Sequence, residues 1–305
     1  MLSRVADALY WMGRYVERAE HAARVLGVER ENHIDLVELD PEAAARSERA
    51  TMEALGFTEE RLADHGIVFD EGNSASVAHS IRRARENARQ VREIISTEMW
   101  VHLNQAYWAL GEAVAAGEGD RSPIHTLTTL AEACVHWEGV VDGTMQRGDG
   151  WMFVKLGRSI ERADRLCRIV RGAVGRLDVA AAVPSEADNL AWIVLLRTAT
   201  ALEAFRKAYP TRVSADRVLD FLIFDREFPH TIRYAVDAAA GMAALLSARH
   251  ESARAIDRAF GRLAARVDYT DVDEILGSGA EPFLDAVLAD LEVAGNAVRQ
   301  AFFLH

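Results

Sequence analysis

"GRYVERAEHAARVL", residues Gly13 to Leu26, reads as an amphipathic helix, and the chain carries it twice. From Gly157 to Val170 the sequence is "GRSIERADRLCRIV", which aligns without a gap. Gly13/Gly157, Arg14/Arg158, Glu17/Glu161, Arg18/Arg162, Ala19/Ala163 and Arg24/Arg168 are identical, and Glu20/Asp164 keep a carboxylate. Helical projection puts Met12, Val16, Ala19, Ala23 and Leu26 on one apolar stripe. Beside it runs a second stripe of Gly13, Glu17, Glu20 and Arg24, matched in the other copy by Gly157, Glu161, Asp164 and Arg168. Glycine inside a helix costs about 0.5–1 kcal/mol relative to alanine. Its recurrence at one place in both copies predicts a neighbour that approaches the backbone there.

The rest of the chain extends the helical reading. Its 305 residues are half hydrophobic and include six prolines, and Ala, Leu, Arg and Glu fill long stretches. No run alternates with period two between turn residues, so the expected class is all-α, with about a dozen helices in one bundle-like body. The net charge of −12 argues against nucleic acid and anionic lipid as partners. No window reaches the roughly 18 apolar residues of a membrane span, and charges interrupt the N-terminal segment where a signal peptide would be apolar. Cys134 and Cys167 stand far apart without metal-ligand spacing. These features together predict a cytoplasmic protein with two reduced thiols.

Helix starts are legible as caps and prolines. The first helix is expected from Ser3 to about Arg30, and the second from Asp40-Pro41. After the "DEGNSAS" loop, "VAHSIRRARENARQVREIIS" reads as one helix; later starts are expected at Ser122-Pro123, Pro184-Ser185, Ser214, Pro229, Thr270 and Glu281-Pro282. "HSIRRA" (His79 to Ala84) also resembles "HTIRYA" (His230 to Ala235), at a displacement close to that of the first pair. Two ordered matches predict tandem pseudo-symmetric halves, residues 1–147 and 148–305, packed as one continuous domain. The six tryptophans are expected in the core or between helices.

Two stripes carry the charged residues of interest. Glu17, Arg18, Glu20, Arg24, Glu161, Arg162, Asp164 and Arg168 read either as an inter-helix seam of arginine–carboxylate pairs or as the border of a polar pocket. Four carboxylates in a bundle invite a metal, yet neither copy offers Glu-x-x-His and arginines adjoin every acid, so no metal or other cofactor is expected. Arg82, Arg85, Arg89 and Arg92 form a basic stripe, with Glu86 and Asn87 across the same helix. That stripe is expected either to pair with the carboxylates of the doubled helix or to meet the acidic groups of a ligand or partner. No P-loop, nucleophile elbow, dinucleotide fingerprint or zinc-protease motif is present.

The doubled "GR..ERA" helix, "ARENARQVREIISTEMWVHLN" (Ala84 to Asn104) and "FLIFDREFPHTIRYAV" (Phe221 to Val236) together resemble the alpha-E family of bacterial helical proteins, over nearly the whole chain. The resemblance implies an all-helical fold whose Glu-Arg motif falls here on Glu17-Arg18 and Glu161-Arg162. It also implies association with circularly permuted ATP-grasp-type proteins and with transglutaminase-like peptidases. From these follows the expectation of an accessory protein to an ATP-grasp-type amide (peptide) ligase, non-catalytic or co-catalytic. Two alternatives stand beside it: an enzyme with a polar or metal-dependent site between the Glu-Arg helices, and a homo-oligomeric scaffold.

Overall fold

Apolar residues at helical spacing set every element of the core. The computed structural model describes residues 3–38, 41–57, 68–115, 124–177, 186–210 and 212–303. Thirteen α-helices and no strand occur among them, so the fold is all-α. The chain divides into two compact units, Met1–Glu161 and Arg162–Leu304. In the first lie α1 (Ser3–Val37), α2 (Pro41–Leu55), α3 (Val77–Gln90), α4 (Thr97–Ala115), α5 (Ile124–Thr144) and the start of α6 (Asp149–Val174). α1 packs against α2, α3 and α5. Its apolar stripe supplies that core, since Met12, Val16, Ala19, Ala23 and Leu26 are all buried.

The second unit holds the remainder of α6, then α7 (Glu186–Thr198), α8 (Leu202–Ala208), α9 (Ala215–Leu219), α10 (Ile232–Ser247), α11 (Arg254–Asp268), α12 (Val272–Ser278) and α13 (Ala280–Phe302). A π-helical turn, Asp220–Phe224, follows α9. α11 packs on both α10 and α13. Phe205, Phe221 and Phe260 anchor this core.

Several boundaries differ from the sequence reading. α1 runs to Val37 rather than Arg30, because its last turns are held by α2: Glu29 accepts hydrogen bonds from Ser47 Oγ at 3.1 Å and Thr51 Oγ1 at 2.8 Å. The helix read through Ser96 ends at Gln90, and a turn buries Val91 and Ile95 before Ser96 Oγ accepts from the Met99 N–H to start α4. Thr231 and Asp271, rather than Pro229 and Thr270, cap α10 and α12. Asp40, Ser122-Pro123 and Pro184-Ser185 lie outside the described residues. Trp137 and Trp192 are buried, but Trp108 is 61% exposed. The buried stripe of α4 is Met99, Leu103, Ala106, Leu110 and Ala113, and residue 108 falls on its opposite side.

The two segments of the second internal match carry the same local turn, but in another register. Asp70 and Asp225 open equivalent turns: each accepts from the backbone N–H two residues on, at Gly72 (2.8 Å) and Glu227 (2.9 Å). Ser76 and Thr231 close them, donating to the Asp70 and Asp225 carbonyls at 2.6 and 2.7 Å. Both hydroxyls then cap the next helix, accepting from His79 and Tyr234 N–H groups. The gapless alignment is therefore "VFDEGNSASV" (68–77) on "IFDREFPHTI" (223–232), four residues away from the pairing of His79 with His230. The His, Ile, Arg and Ala common to "HSIRRA" and "HTIRYA" carried that pairing, whereas the backbone follows the Asp and Ser/Thr.

Candidate functional site

α1 and α6 cross at their glycines. A Cβ built on Gly13 would lie 3.1 Å from the Val154 carbonyl carbon, closer still to its oxygen, and 3.3 Å from Arg158 Cγ. One on Gly157 would lie 3.0 Å from the Tyr10 carbonyl carbon and 3.3 Å from Arg14 Cγ. Each glycine thus receives the backbone of the other helix, and the contacts are reciprocal. Backbones this close bring the flanking charges within reach across the crossing.

Those charges exchange partners. Arg158 donates from Nε at 3.0 Å and Nη2 at 2.7 Å to Glu17, while Arg14 donates from Nε at 2.7 Å to Glu161. The glutamate of each copy is held by the arginine that opens the other. Glu161 also accepts from Arg18, at 2.7 Å from Nε and 3.1 Å from Nη2, so two guanidiniums share a fully buried carboxylate. On the other side one cation serves several acids. Arg158 faces Glu17, Glu20 (3.5 Å) and Glu138, and Lys155 links Glu138 at 3.2 Å to Asp142 at 3.0 Å.

Burial opposes the Arg158 charge, but Glu17, Glu138 and Glu20 outweigh it and hold the guanidinium protonated beyond its ordinary range. The same contest, with Glu161 as the acid, raises Arg18. Nearby, burial pushes the Cys134 thiol well above its usual value and Glu20 pushes it further, which favours the protonated thiol. Glu138, Asp142 and Lys155 did not stand out in the sequence. Lys155 is one of two lysines in the chain and sits one turn before Arg158, which is the signal that marks it.

A family model described as "a predicted alpha-helical domain with a conserved ER motif" matches residues 1–303. The chain belongs to the Alpha-E family. Its two Glu-Arg pairs, Glu17-Arg18 and Glu161-Arg162, lie on the crossing helices α1 and α6. The Alpha-E chain is also 23% identical over 268 residues to uncharacterized proteins of Mycobacterium bovis and of two Mycobacterium tuberculosis strains. That match takes in 77% of this chain and spans 29% of the length of those curated relatives. No solved structure matches.

The other charged residues of the Alpha-E chain serve different places. Arg24 pairs with Glu20 on its own helix at 3.1 Å. In the second unit Arg168 forks onto Asp164 at 2.8 and 3.0 Å, and Arg162 donates to the Pro229 carbonyl at 3.4 Å. The basic stripe of α3 does not pair with the Glu-Arg carboxylates. Arg82 meets Glu71 at 3.3 Å and Glu86 at 3.2 Å, and Arg85 donates to Asn104 at 2.6 Å. Arg83, unremarked in the sequence, also takes Glu86 at 3.0 Å. Asn87 is buried, and Arg89 is exposed with no ion pair among the described residues. The physical reason is that α1 offers its acids toward α6, while α3 carries its arginines on the rim it shares with α4. Among the described residues no three His, Cys, Asp or Glu side chains are grouped so as to hold a metal. No helix among them is long and apolar enough to cross a membrane.

Proposed function

We propose that this Alpha-E chain is a helical accessory protein of an ATP-grasp-type amide ligase system, binding the ligase, its amino-acid or peptide substrate, or both. The observation that carries the reading is the 29% share of the curated relatives that the match occupies. In those proteins the domain is one part of a much longer chain, as suits a module that works beside others. The engaged seam supports the same reading, because Glu17 and Glu161 are already committed to arginines rather than facing a substrate. The ATP-grasp-type partner, and a transglutaminase-like peptidase as a further associate, come from the family resemblance. ATP-dependent ligation places the pair in the cytoplasm. The reading also takes residues 1–147 and 148–305 as tandem halves, on the strength of the crossed helices and the two Asp-to-Ser/Thr turns.

The test is co-purification of the chain with an ATP-grasp-type ligase from the same genome, followed by ligase turnover with and without it. A complex at micromolar concentration and turnover that depends on the chain are expected. Full turnover by the ligase alone, with no complex, would overturn the proposal.

A further inference from the structure

The chain carries a net charge of −12, yet three arginines stand in a row with no carboxylate partner among the described residues. Arg85 and Arg89 lie on α3, and Arg92 lies in the turn that follows. The Nε–H of Arg85, given to Asn104 at 2.6 Å, is the one hydrogen bond from these three guanidiniums among the described residues. Aromatic rings of α4 hold two of them instead. Arg92 lies 4.7 Å and Arg85 5.5 Å from the Trp100 ring centroid, and Arg85 lies 4.7 Å from that of Tyr107. Trp108 continues the row, edge to face with Tyr107 at 5.6 Å and 61% exposed.

A guanidinium has five N–H donors and no acceptor. Laying its face on a ring fixes the plane and leaves the donor edge open. Such an edge is prepared for forked hydrogen bonds to a carboxylate. Arg85 and Arg89 are spaced i, i+4, so their like charges repel along one helical rim, and Arg92 in the turn beyond shares the Trp100 ring with Arg85. An acidic counterpart removes that repulsion, and the exposed Trp108 ring beside it offers apolar area to the same counterpart.

We propose that the α3–α4 face, where Arg85 and Arg92 lie on Trp100 and Tyr107, with Arg89 exposed one turn after Arg85 and Trp108 beside Tyr107, docks an acidic segment of a partner protein. Carboxylates of that segment fork onto the arginines while an apolar side chain covers Trp108. The proposal rests on the accessory-protein reading and names its contact face. A short acidic segment is favoured over nucleic acid, because the charge of the rest of the chain repels a long polyanion, whereas a short segment meets chiefly the local patch.

The full chain and the variant Arg85→Glu/Arg89→Glu/Arg92→Glu are each titrated with the ATP-grasp-type ligase. Binding that the variant weakens about tenfold or more supports the face. Equal binding by both overturns it and leaves the accessory reading standing. If neither binds, the accessory reading falls, and the face is judged on a synthetic helical peptide with Glu at i, i+4 and i+7 and Leu between, read by fluorescence anisotropy. Binding that salt weakens, and that the charge reversal and Trp108→Ser both reduce, supports the face; no binding overturns it. Tighter binding of polyuridylate than of the peptide overturns it in favour of nucleic acid. A dimer in light scattering that the charge reversal dissolves overturns it in favour of a second copy. Arg85→Gln/Arg89→Gln/Arg92→Gln, which removes charge without reversing it, replaces the first variant should circular dichroism show that one unfolded.

Discussion

Arg158 gives its Nε–H and an Nη2–H to the same oxygen of Glu17, and both side chains are buried. Removing the cation takes both guanidinium hydrogen bonds from the buried Glu17 and leaves Glu20 to Arg24. Arg158→Met should therefore cost about 3–5 kcal/mol in urea unfolding. Glu17→Gln keeps an acceptor and leaves Arg158 with Glu20 and Glu138, so its cost should be smaller, about 1–2 kcal/mol. The double variant should lose less than the sum of the two. A strictly additive cycle would show that the pair is not coupled.

The glycines of the crossing should tolerate nothing larger. Gly13→Ala and Gly157→Ala each drive a methyl into a backbone carbonyl that cannot swing away, so both should lose about 2 kcal/mol or more. Gly27 lies in the same helix as Gly13, but a methyl there would meet no neighbouring atom within 4 Å. Gly27→Ala should gain about 0.5–1 kcal/mol. Thermal melts of the three variants check the contrast. Similar shifts at all three would remove the close approach as the reason for the glycines.

Thr200 is the one non-glycine residue with positive φ among the described residues, at 57°. It ends α7 where the Ala201 N–H reaches back to the Leu196 carbonyl at 2.7 Å and its own N–H to Arg197 at 2.9 Å. A β-branched side chain is strained in that backbone well. Thr200→Gly should raise stability by about 1 kcal/mol, whereas Thr200→Ala, which keeps a Cβ, should recover little of this. Chemical denaturation of the two variants decides the point.

Glu29 is buried between α1 and α2, and burial lifts its carboxyl above the ordinary range despite the hydroxyls of Thr51 and Ser47. A raised folded-state pKa makes the protonated form the better fit. Its contribution is complete below the unfolded-state pKa and is lost as pH rises through the folded value. Glu29→Gln should therefore stabilise the chain at neutral pH, with a melting temperature higher by about 2–4 °C. The gain should fade on acidification to about pH 4. A gain of equal size at both pH values would mean that ionisation of Glu29 is not its source.

The helical class and the crossing were legible because they follow from spacing. Apolar periodicity in Met12 to Leu26 gave the buried stripe, and the repeated glycine pointed to a close backbone approach. What could not be read was direction. Periodicity says which residues share a face but not which neighbour that face meets, so one of the two readings of the α3 arginines paired them with acids that α1 turns toward α6. Trp108 was misplaced for a related reason: composition makes tryptophan a core residue, while its phase on α4 puts it outside. The Asp-to-Ser/Thr turns were present in the sequence, but hydrogen bonds to backbone leave a fainter pattern than runs of charge.

Glu17 and Arg158 lie 141 residues apart, and Arg14 and Glu161 lie 147 apart. A ribosome adding about 5–20 residues per second delivers the two members of each pair roughly 7–30 s apart. Throughout that interval the notch at Gly13 stands open on the nascent chain, with Glu17 awaiting Arg158 and Arg14 awaiting Glu161. Translation that stalls before Gly157 yields a fragment with a permanently vacant groove, and maturation of the first unit waits on α6, the last of its own helices to be made.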